Sequence, residues 1–389
     1  MRRPRSRRYR CCRHSLRPSL APPIAPRRRA VILKRVLRLG IVGCGNIAHR
    51  YAARIQALDE LELVAASDAV PGRADALVAE FGGEAHDSLP SLLADERVDA
   101  VVNLTWPTAH AEVTAAALDA GKHVHSEKPL ALRHDEARDL VNLASARGLR
   151  LSAAPATLLG DAQQTAWKLV REQAIGHVRV AYAEANWGRI ETWHPAPATL
   201  YAVGPMVDVG VYPLAVLTAI FGPARSVTAF ATTVQPERVA LDGTRFRPDA
   251  PDLTVAVVEL ESGLVIRLTA SFYVGAGIHR GLEFHGDGGM LWLASWAEFD
   301  SRLRITTDFN GDNYEPVPLL REGYRGIDWG RALVDLAGAV QDGREPRASG
   351  AHAAHVVEVL NAMQDSARDG GPVAVGSSFH PPSPLEWAL

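Results

Sequence analysis

Apolar and polar positions follow two different rhythms along this chain. Between Leu39 and Ala153, short apolar runs recur among segments of helical spacing. Leu39-Gly40-Ile41-Val42 ends at Gly43 and Leu61–Ser67 ends at Asp68. Asp99–Leu104 precedes Thr105, His123-Val124-His125 leads into Glu127, and Leu149–Ala153 closes the series. Runs this short, flanked by glycine or polar residues, are those of strands buried on both faces. Helices are expected over Asn46–Leu58, Pro71–Phe81, Ser88–Ala94, Pro107–Ala120 and His134–Arg147, with Gly121 and Gly148 stopping the last two. Strand and helix alternate, which implies right-handed crossovers and a parallel, doubly wound α/β sheet over residues 36–155.

After Pro155 the rhythm changes. One helix is expected over Leu158–Gln173. Period-two runs follow at Val178-Val180-Tyr182, Leu253-Val255-Val257 and Leu264-Ile266-Leu268-Ala270-Phe272. Glu283-Phe284-His285 and Met290-Leu291-Trp292 flank a glycine-rich turn and read as a hairpin. Alternating strands cover one sheet face and leave the other polar or available to a second subunit. Two closing helices are expected near Trp329–Gln341 and Ala351–Arg368. This second unit spans residues 156–380.

Composition limits the partners. The 389 residues carry 42 Lys+Arg and 44 Asp+Glu. Thirteen of the basic residues lie in residues 1–35, which hold no acid, so the remainder is acidic and unsuited to nucleic acid. That basic segment is rich in Arg and Pro and without periodicity. A twin-arginine signal at Ser6-Arg7-Arg8-Tyr9 lacks a continuous apolar core, because Lys34 and Arg35 follow Val31-Ile32-Leu33 at once. A transit peptide or a nucleic-acid arm stays open. The preferred reading is a disordered extension, or a start assigned upstream of Val31 or Val36. No apolar run reaches the roughly 18 residues that span a bilayer, so no membrane partner and a cytoplasmic location are expected. Cys11, Cys12 and Cys44 make no disulfide framework, and the histidines lack metal-ligand spacing, so no metal is expected.

The chemistry starts at Gly43-Cys44-Gly45-Asn46-Ile47-Ala48. A G-x-G-x-x-A loop is a weak signal alone, and a ligand-free βα turn is the alternative. Here a strand precedes it and a helix follows, the context of a dinucleotide loop. Helix N-terminal amides then meet the phosphates. Asp68, at the end of the second strand, suits ribose hydroxyls and repels a 2′-phosphate, which favours NAD over NADP. Arg73 could reach the adenosine end and blur that preference; a solvated helix residue is the alternative.

Glu127-Lys128-Pro129 follows a parallel strand at its carboxyl end, where open α/β sheets place ligands. A half-buried lysine beside a cationic nicotinamide should have its charged form disfavoured and exchange a proton with a substrate hydroxyl. Pro129 would fix the backbone there, a cis bond being one way. A surface lysine is the alternative, but the chain has only four.

These motifs resemble the Gfo/Idh/MocA (glucose–fructose oxidoreductase and inositol dehydrogenase) family. The resemblance rests on the glycine loop, on Gly121-Lys122-His123-Val124-His125-Ser126-Glu127-Lys128-Pro129, and on Asp208-Val209-Gly210-Val211-Tyr212. It implies a Rossmann domain joined to an α+β domain with a large, mostly antiparallel sheet whose open face makes homodimers or homotetramers. It implies Lys128 for the hydroxyl proton, Asp208 to orient substrate or lysine, and Tyr212 where many members have histidine. Thr105-Trp106-Pro107-Thr108-Ala109-His110 matches the family segment at Thr105 and His110 only. The expected cofactor contacts are Gly43, Gly45, Asn46, Ile47, Asp68, Arg73, Thr105, Trp106, His110, Glu127 and Lys128. Trp187 and His194 are expected at the substrate, in a pocket whose mixed aromatic and polar groups suit a sugar or polyol ring. His194 could equally be a structural loop residue. The resemblance implies an NAD-dependent oxidoreductase acting on a secondary alcohol of a sugar, cyclitol or dihydrodiol-like ring. An NAD-dependent glycoside hydrolase and a non-catalytic dinucleotide sensor are the other readings.

Overall fold

In the computed structural model, residues 36–275, 280–310 and 313–389 are described. The basic segment 1–35 and the readings attached to it lie outside the described residues.

Six strands form the first sheet: β1 (Leu37–Val42), β2 (Leu61–Ser67), β3 (Glu84–His86), β4 (Ala100–Asn103), β5 (His123–Ser126) and β6 (Leu151–Ala153). All pair in parallel in the order β3-β2-β1-β4-β5-β6. Five helices connect them: α1 (Asn46–Gln56), α2 (Arg73–Phe81), α3 (Leu89–Ala94), α4 (His110–Asp119) and α5 (His134–Ala146). The order reverses between β1 and β4, and that reversal opens a crevice at the carboxyl ends of both. The expected strands and helices are all present. β3 was not foreseen, because three residues show no period. α2 begins at Arg73 rather than Pro71, since Gly72 takes a left-handed φ of 80° at its N-cap.

The single helix expected over Leu158–Gln173 is instead a 3-10 turn, Thr157–Leu159, followed by α6 (Asp161–Arg171). Gly160 between them is extended, and a Cβ there would lie 2.8 Å from the Phe299 ring. The Gln163 amide, at 2.0 Å from that Cβ position, crowds it as well, so only glycine fits at the break.

Next come β7 (Val178–Asn186), α7 (Pro197–Pro205), a π-turn (Met206–Gly210), α8 (Val211–Phe221) and β8 (Ala224–Thr232). A separate small hairpin, β9 (Arg238–Val239) with β10 (Arg245–Phe246), precedes β11 (Leu253–Leu260), β12 (Val265–Ser271) and β13 (Gly281–Gly286). The chain ends with β14 (Gly289–Leu293), β15 (Leu303–Thr306), β16 (Glu315–Val317), α9 (Arg331–Asp342), α10 (Gly350–Asp369) and β17 (Val373–Ala374). The second sheet runs β16-β15-β14-β13-β7-β12-β11-β8-β17, antiparallel except between β7 and β12. The hairpin expected around Gly286–Gly289 is β13–β14. Alternation works as expected here: Ala181, Ala183, Ile266, Leu268, Ala256 and Val258 face a core closed by α8 and α10.

α7, α8 and β8 escaped the sequence reading. The α8 sequence is apolar on every side, so it carries no helical period. The run Pro197–Phe221 is in fact long and apolar enough to cross a membrane by length and composition, contrary to expectation, but most of it is buried inside the domain as a core helix.

The C-terminal helices join the two sheets. α9 places Leu333 and Leu336 in one core with Leu39, Ile41 and Tyr51. α10 gives Ala354 and Val357 to the Rossmann side, and Val356, Val359 and Met363 to the second core.

Burial pushes three imidazoles down: His125 to about 4, His352 to about 3 and His355 to about 4. Unfolded, each titrates near 6.5, so the unfolded chain binds more protons below that value. Their contribution to stability is complete above about pH 6.5 and is lost as the pH falls toward about 4. The unfolding free energy in urea is expected to drop over that window, by at most about 1.4 kcal/mol per histidine per pH unit. A flat profile from about pH 7 to about pH 4.5 would contradict buried neutral histidines.

Candidate active site

The site is built where β1, β4 and β5 end. β1 runs into Gly43, whose amide donates to Ser67 O at 2.9 Å. Gly43 has a φ of 95°, and a Cβ there would sit 2.7 Å from the Leu104 carbonyl carbon and oxygen. Only glycine lets β1 turn this close to the end of β4. Gly45 is the N-cap of α1; no side chain caps this helix, and a Cβ at Gly45 would meet nothing within 4 Å. Open space above uncapped helix amides is what a pyrophosphate requires. Asn46 is exposed, Ile47 is half-buried, and Ala48 is fully buried against the sheet. Cys44 is a buried filler: burial, with Asp68 beside it, pushes its thiol up to about 12.

Asp68 follows β2 beside the glycine loop. Its Oδ2 accepts from Cys44 N at 2.6 Å and its Oδ1 from Val70 N at 2.7 Å. These bonds hold the carboxylate beside the glycine loop with lone pairs to spare. The half-exposed Arg73 guanidinium approaches Asp68 Oδ1 at 3.9 Å. Acid and base therefore meet at this end of the crevice.

Past β4, Asn103 organises the loop. Thr105 Oγ1 donates to Asn103 Oδ1 at 2.7 Å, and Asn103 Nδ2 donates to His110 O and Thr114 Oγ1. Trp106 is 60% exposed, so its ring is free to meet a ligand. His110 is buried, with its ring nitrogens at 2.7 Å from Pro129 O and 2.9 Å from Thr105 O. It clamps the loops after β4 and β5 together and offers no free nitrogen to a cofactor.

Glu127 is also engaged within the protein. Tyr51 of α1 donates its hydroxyl to Glu127 Oε1 at 2.8 Å, and Lys128 N donates to Oε2 at 3.0 Å. Tyr51 also lies 3.3 Å from His125 Nε2, and the other nitrogen of that ring contacts Ser152 Oγ at 3.0 Å. The helix that starts at the phosphate loop is thereby tied to the backbone of the lysine. Tyr51 and His125 were not picked out from the sequence. The only trace of Tyr51's role was an aromatic on the core-facing stripe of α1.

Lys128 precedes a cis peptide bond to Pro129. Its Nζ donates to Asp208 Oδ1 and to Asp208 O, both at 2.7 Å. Asp208 sits in the π-turn, so this pair crosses from one domain to the other. The Tyr212 ring follows on α8, its centroid 5.3 Å from Lys128 Nζ. Burial disfavours the ammonium, but Asp208, Tyr212 and Glu127 outweigh it and hold Lys128 above the ordinary lysine range. This corrects the expectation that the charged form would be disfavoured, which took no account of a carboxylate from the other domain. Burial pushes the Tyr212 phenol up to about 12, against the pull of the Lys128 charge.

An aromatic wall leads outward from Tyr212. Trp296 packs on Tyr212 at 5.1 Å between centroids, Trp187 on Trp296 at 5.9 Å, and Trp193 on Trp187 at 6.4 Å. Trp187 and Trp193 are about half exposed. Trp296 was missed because it lies far away in sequence and outside any motif. His194 Nδ1 accepts from Ala196 N at 3.1 Å and its ring packs on Trp193, so it caps its own loop. Among the described residues no group of three or more His, Cys, Asp or Glu could hold a metal ion.

Comparison with known proteins gives the same outline. The profile of the oxidoreductase family with an NAD-binding Rossmann fold (GFO/IDH/MocA) matches residues 37–154, and that of the GFO/IDH/MocA C-terminal domain matches residues 163–292. The chain is 26% identical over 344 residues to a dTDP-3,4-didehydro-2,6-dideoxy-alpha-D-glucose 3-reductase of Actinomadura kijaniata, covering 86% of this chain and 96% of that one. It is 29% identical over 288 residues to an inositol 2-dehydrogenase of Acidothermus cellulolyticus, covering 73% and 78%. A solved 3-ketoreductase of Actinomadura kijaniata, in complex with NADP and TDP-benzene, superposes with a TM-score of 0.70 at 25% identity over 85% of this chain and 97% of that one. With both of its domains matched, the chain belongs to the GFO/IDH/MocA family of oxidoreductases.

Proposed function

We propose that this protein transfers hydride between a nicotinamide dinucleotide and a secondary alcohol or ketone carbon of a sugar, cyclitol or dihydrodiol-like ring. The observation that carries this is the Lys128–Asp208 pair, 2.7 Å long, at the end of β5 with Tyr212 against it. Gly43, Gly45 and the α1 amides would hold the pyrophosphate, Asp68 the adenosine ribose, and Thr105 and Trp106 the walls near the nicotinamide. When bound, the dinucleotide supplies or accepts the hydride. The protein's residues manage the proton. Asp208 fixes the Lys128 ammonium, and Tyr212 and Lys128 together face the substrate oxygen. Both are protonated near neutral pH, a state suited to donating a proton to a ketone oxygen as hydride arrives at carbon. Alcohol oxidation needs that pair to release a proton first, so it is favoured by alkaline pH. The aromatic wall takes the apolar face of the ring.

Lys128→Ala is expected to keep dinucleotide binding and to lower kcat by about 10²–10⁴-fold. Wild-type turnover in that variant, followed at the NADH absorbance with a panel of sugars and cyclitols, would end this assignment. In the wild type, kcat/KM for alcohol oxidation should rise from about pH 7 to about pH 10, while ketone reduction stays level.

The preferred dinucleotide is NAD, on the strength of Asp68, with Arg73 allowing some use of NADP. Asp68→Ala should shift the NAD/NADP ratio of kcat/KM toward NADP by about 10-fold or more, and Arg73→Ala should shift it toward NAD. If neither variant moves the ratio, selection lies elsewhere.

The outer face of the second sheet presents Phe230 beside Val255, with Val257, and Arg267 stacked 3.9 Å over Tyr182. An exposed apolar stripe on a sheet suits a second copy of the same chain. Light scattering is expected to give a dimer or tetramer that Phe230→Glu dissociates; a monomeric wild type at micromolar concentration removes this reading.

A further inference from the structure

We infer that Arg238, Glu191, Asp252 and Tyr201 form a buried ionic hub that sets the position of the Trp187–Trp193 wall, and with it the affinity for the ring substrate. The inference rests on the oxidoreductase reading and adds positioning residues to it.

Arg238 lies in the β9–β10 hairpin. Its side chain is 0% exposed. Nη1 donates to Glu191 Oε1 at 2.9 Å and Nη2 to Asp252 Oδ2 at 2.5 Å. The guanidinium lies 4.7 Å over the Tyr201 ring. Tyr201, on α7, donates its hydroxyl to Glu191 Oε2 at 2.5 Å. Asp252 in turn accepts from Val234 N and Gln235 N. One guanidinium thus gathers the wall segment, the helix leading to the Asp208 turn, the small hairpin and the entry to β11.

Glu191 is central to the wall segment. It lies in a 3-10 turn, Ile190–Thr192, and Trp193 N and His194 N both bond back to Ile190 O. On the other side, Trp187 N donates to Ser271 O and Gly188 N to Val274 O. The tryptophans are thus carried by a short arch pinned at one foot to the end of β12 and at its centre to the hub.

Stability alone gives no reason for this arrangement. Two carboxylates share one guanidinium out of water, and Arg238 Nε has no partner among the described residues. Apolar side chains of similar volume would hold such loops equally well. What the charged version adds is direction: two guanidinium nitrogens facing two carboxylates permit one arrangement of the arch.

Glu191→Gln tests this without emptying the hub. The volume is kept, and Arg238 remains paired one-to-one with Asp252. KM for the ring substrate is expected to rise about 10-fold, with kcat within about 3-fold and the dinucleotide KM unmoved. Tyr201→Phe, which removes the other hold on Glu191, should act in the same direction. Acrylamide quenching of tryptophan fluorescence needs no substrate. It should increase in Glu191→Gln, and the increase should vanish in a Trp187→Phe, Trp193→Phe background. Wild-type KM and quenching in both variants overturn the inference, as do equal rises in the ring-substrate and dinucleotide KM. A wild type that turns over no sugar or cyclitol, with the quenching change intact, would instead remove the oxidoreductase reading and leave the hub.

Discussion

One ion pair ties the two sheets of this protein together at the carboxyl end of the first. Lys128 lies just past strand β5 of the parallel sheet, and Asp208 lies in a π-turn of the other domain, 80 residues later; they meet at 2.7 Å. Neither domain alone assembles that pair. α10 packs into both cores and α9 completes the Rossmann core from the far end of the chain. Because these helices lock the two sheets together, a contact between the domains can be held to hydrogen-bond length. The proposed placement of a proton donor beside a substrate oxygen needs precision of this kind.

The same pair sets the local electrostatics. A lysine with 15% of its side chain exposed loses hydration, and burial alone would push it toward neutrality. Asp208 reverses this, and the Glu127 charge behind it adds to the effect. Glu127 in turn is held by Tyr51, on the helix that begins at the phosphate loop. A chain of short contacts therefore runs from the cofactor-binding end of α1 through Glu127 and Lys128 to Asp208. The charged state of Lys128 follows from this set of contacts, not from any single residue.

Much of the fold was legible because periodicity is a local property. Every Rossmann strand except β3 showed as a short apolar run, and the β13–β14 hairpin announced itself through its glycines. α7, α8 and β8 did not show. α8 is buried on all sides and therefore has no polar face to mark its period. The break at Gly160 was hidden as well, because the space around that glycine is closed partly by the ring of the distant Phe299. In the site, Gly43, Asp68, Lys128, Asp208 and Tyr212 could be picked out from motifs. Tyr51, Trp296 and Arg238 could not, since nothing near them in sequence distinguishes them from ordinary core residues.

The sequence by itself determined the class of fold and the dinucleotide loop, and through its motifs and family resemblance it marked Lys128, Asp208 and Tyr212 as the candidates for handling the proton. These depend on hydrogen-bonding capacity, backbone freedom and spacing over a few residues, all of which the chain carries locally. Only the tertiary structure decided the charge on Lys128, the occupation of His110, Glu127 and His194 by internal partners, and the aromatic wall that ends at Trp296. Those properties depend on distances between residues far apart in the chain. In a low-dielectric interior a carboxylate a few ångströms away outweighs anything that the neighbouring sequence implies.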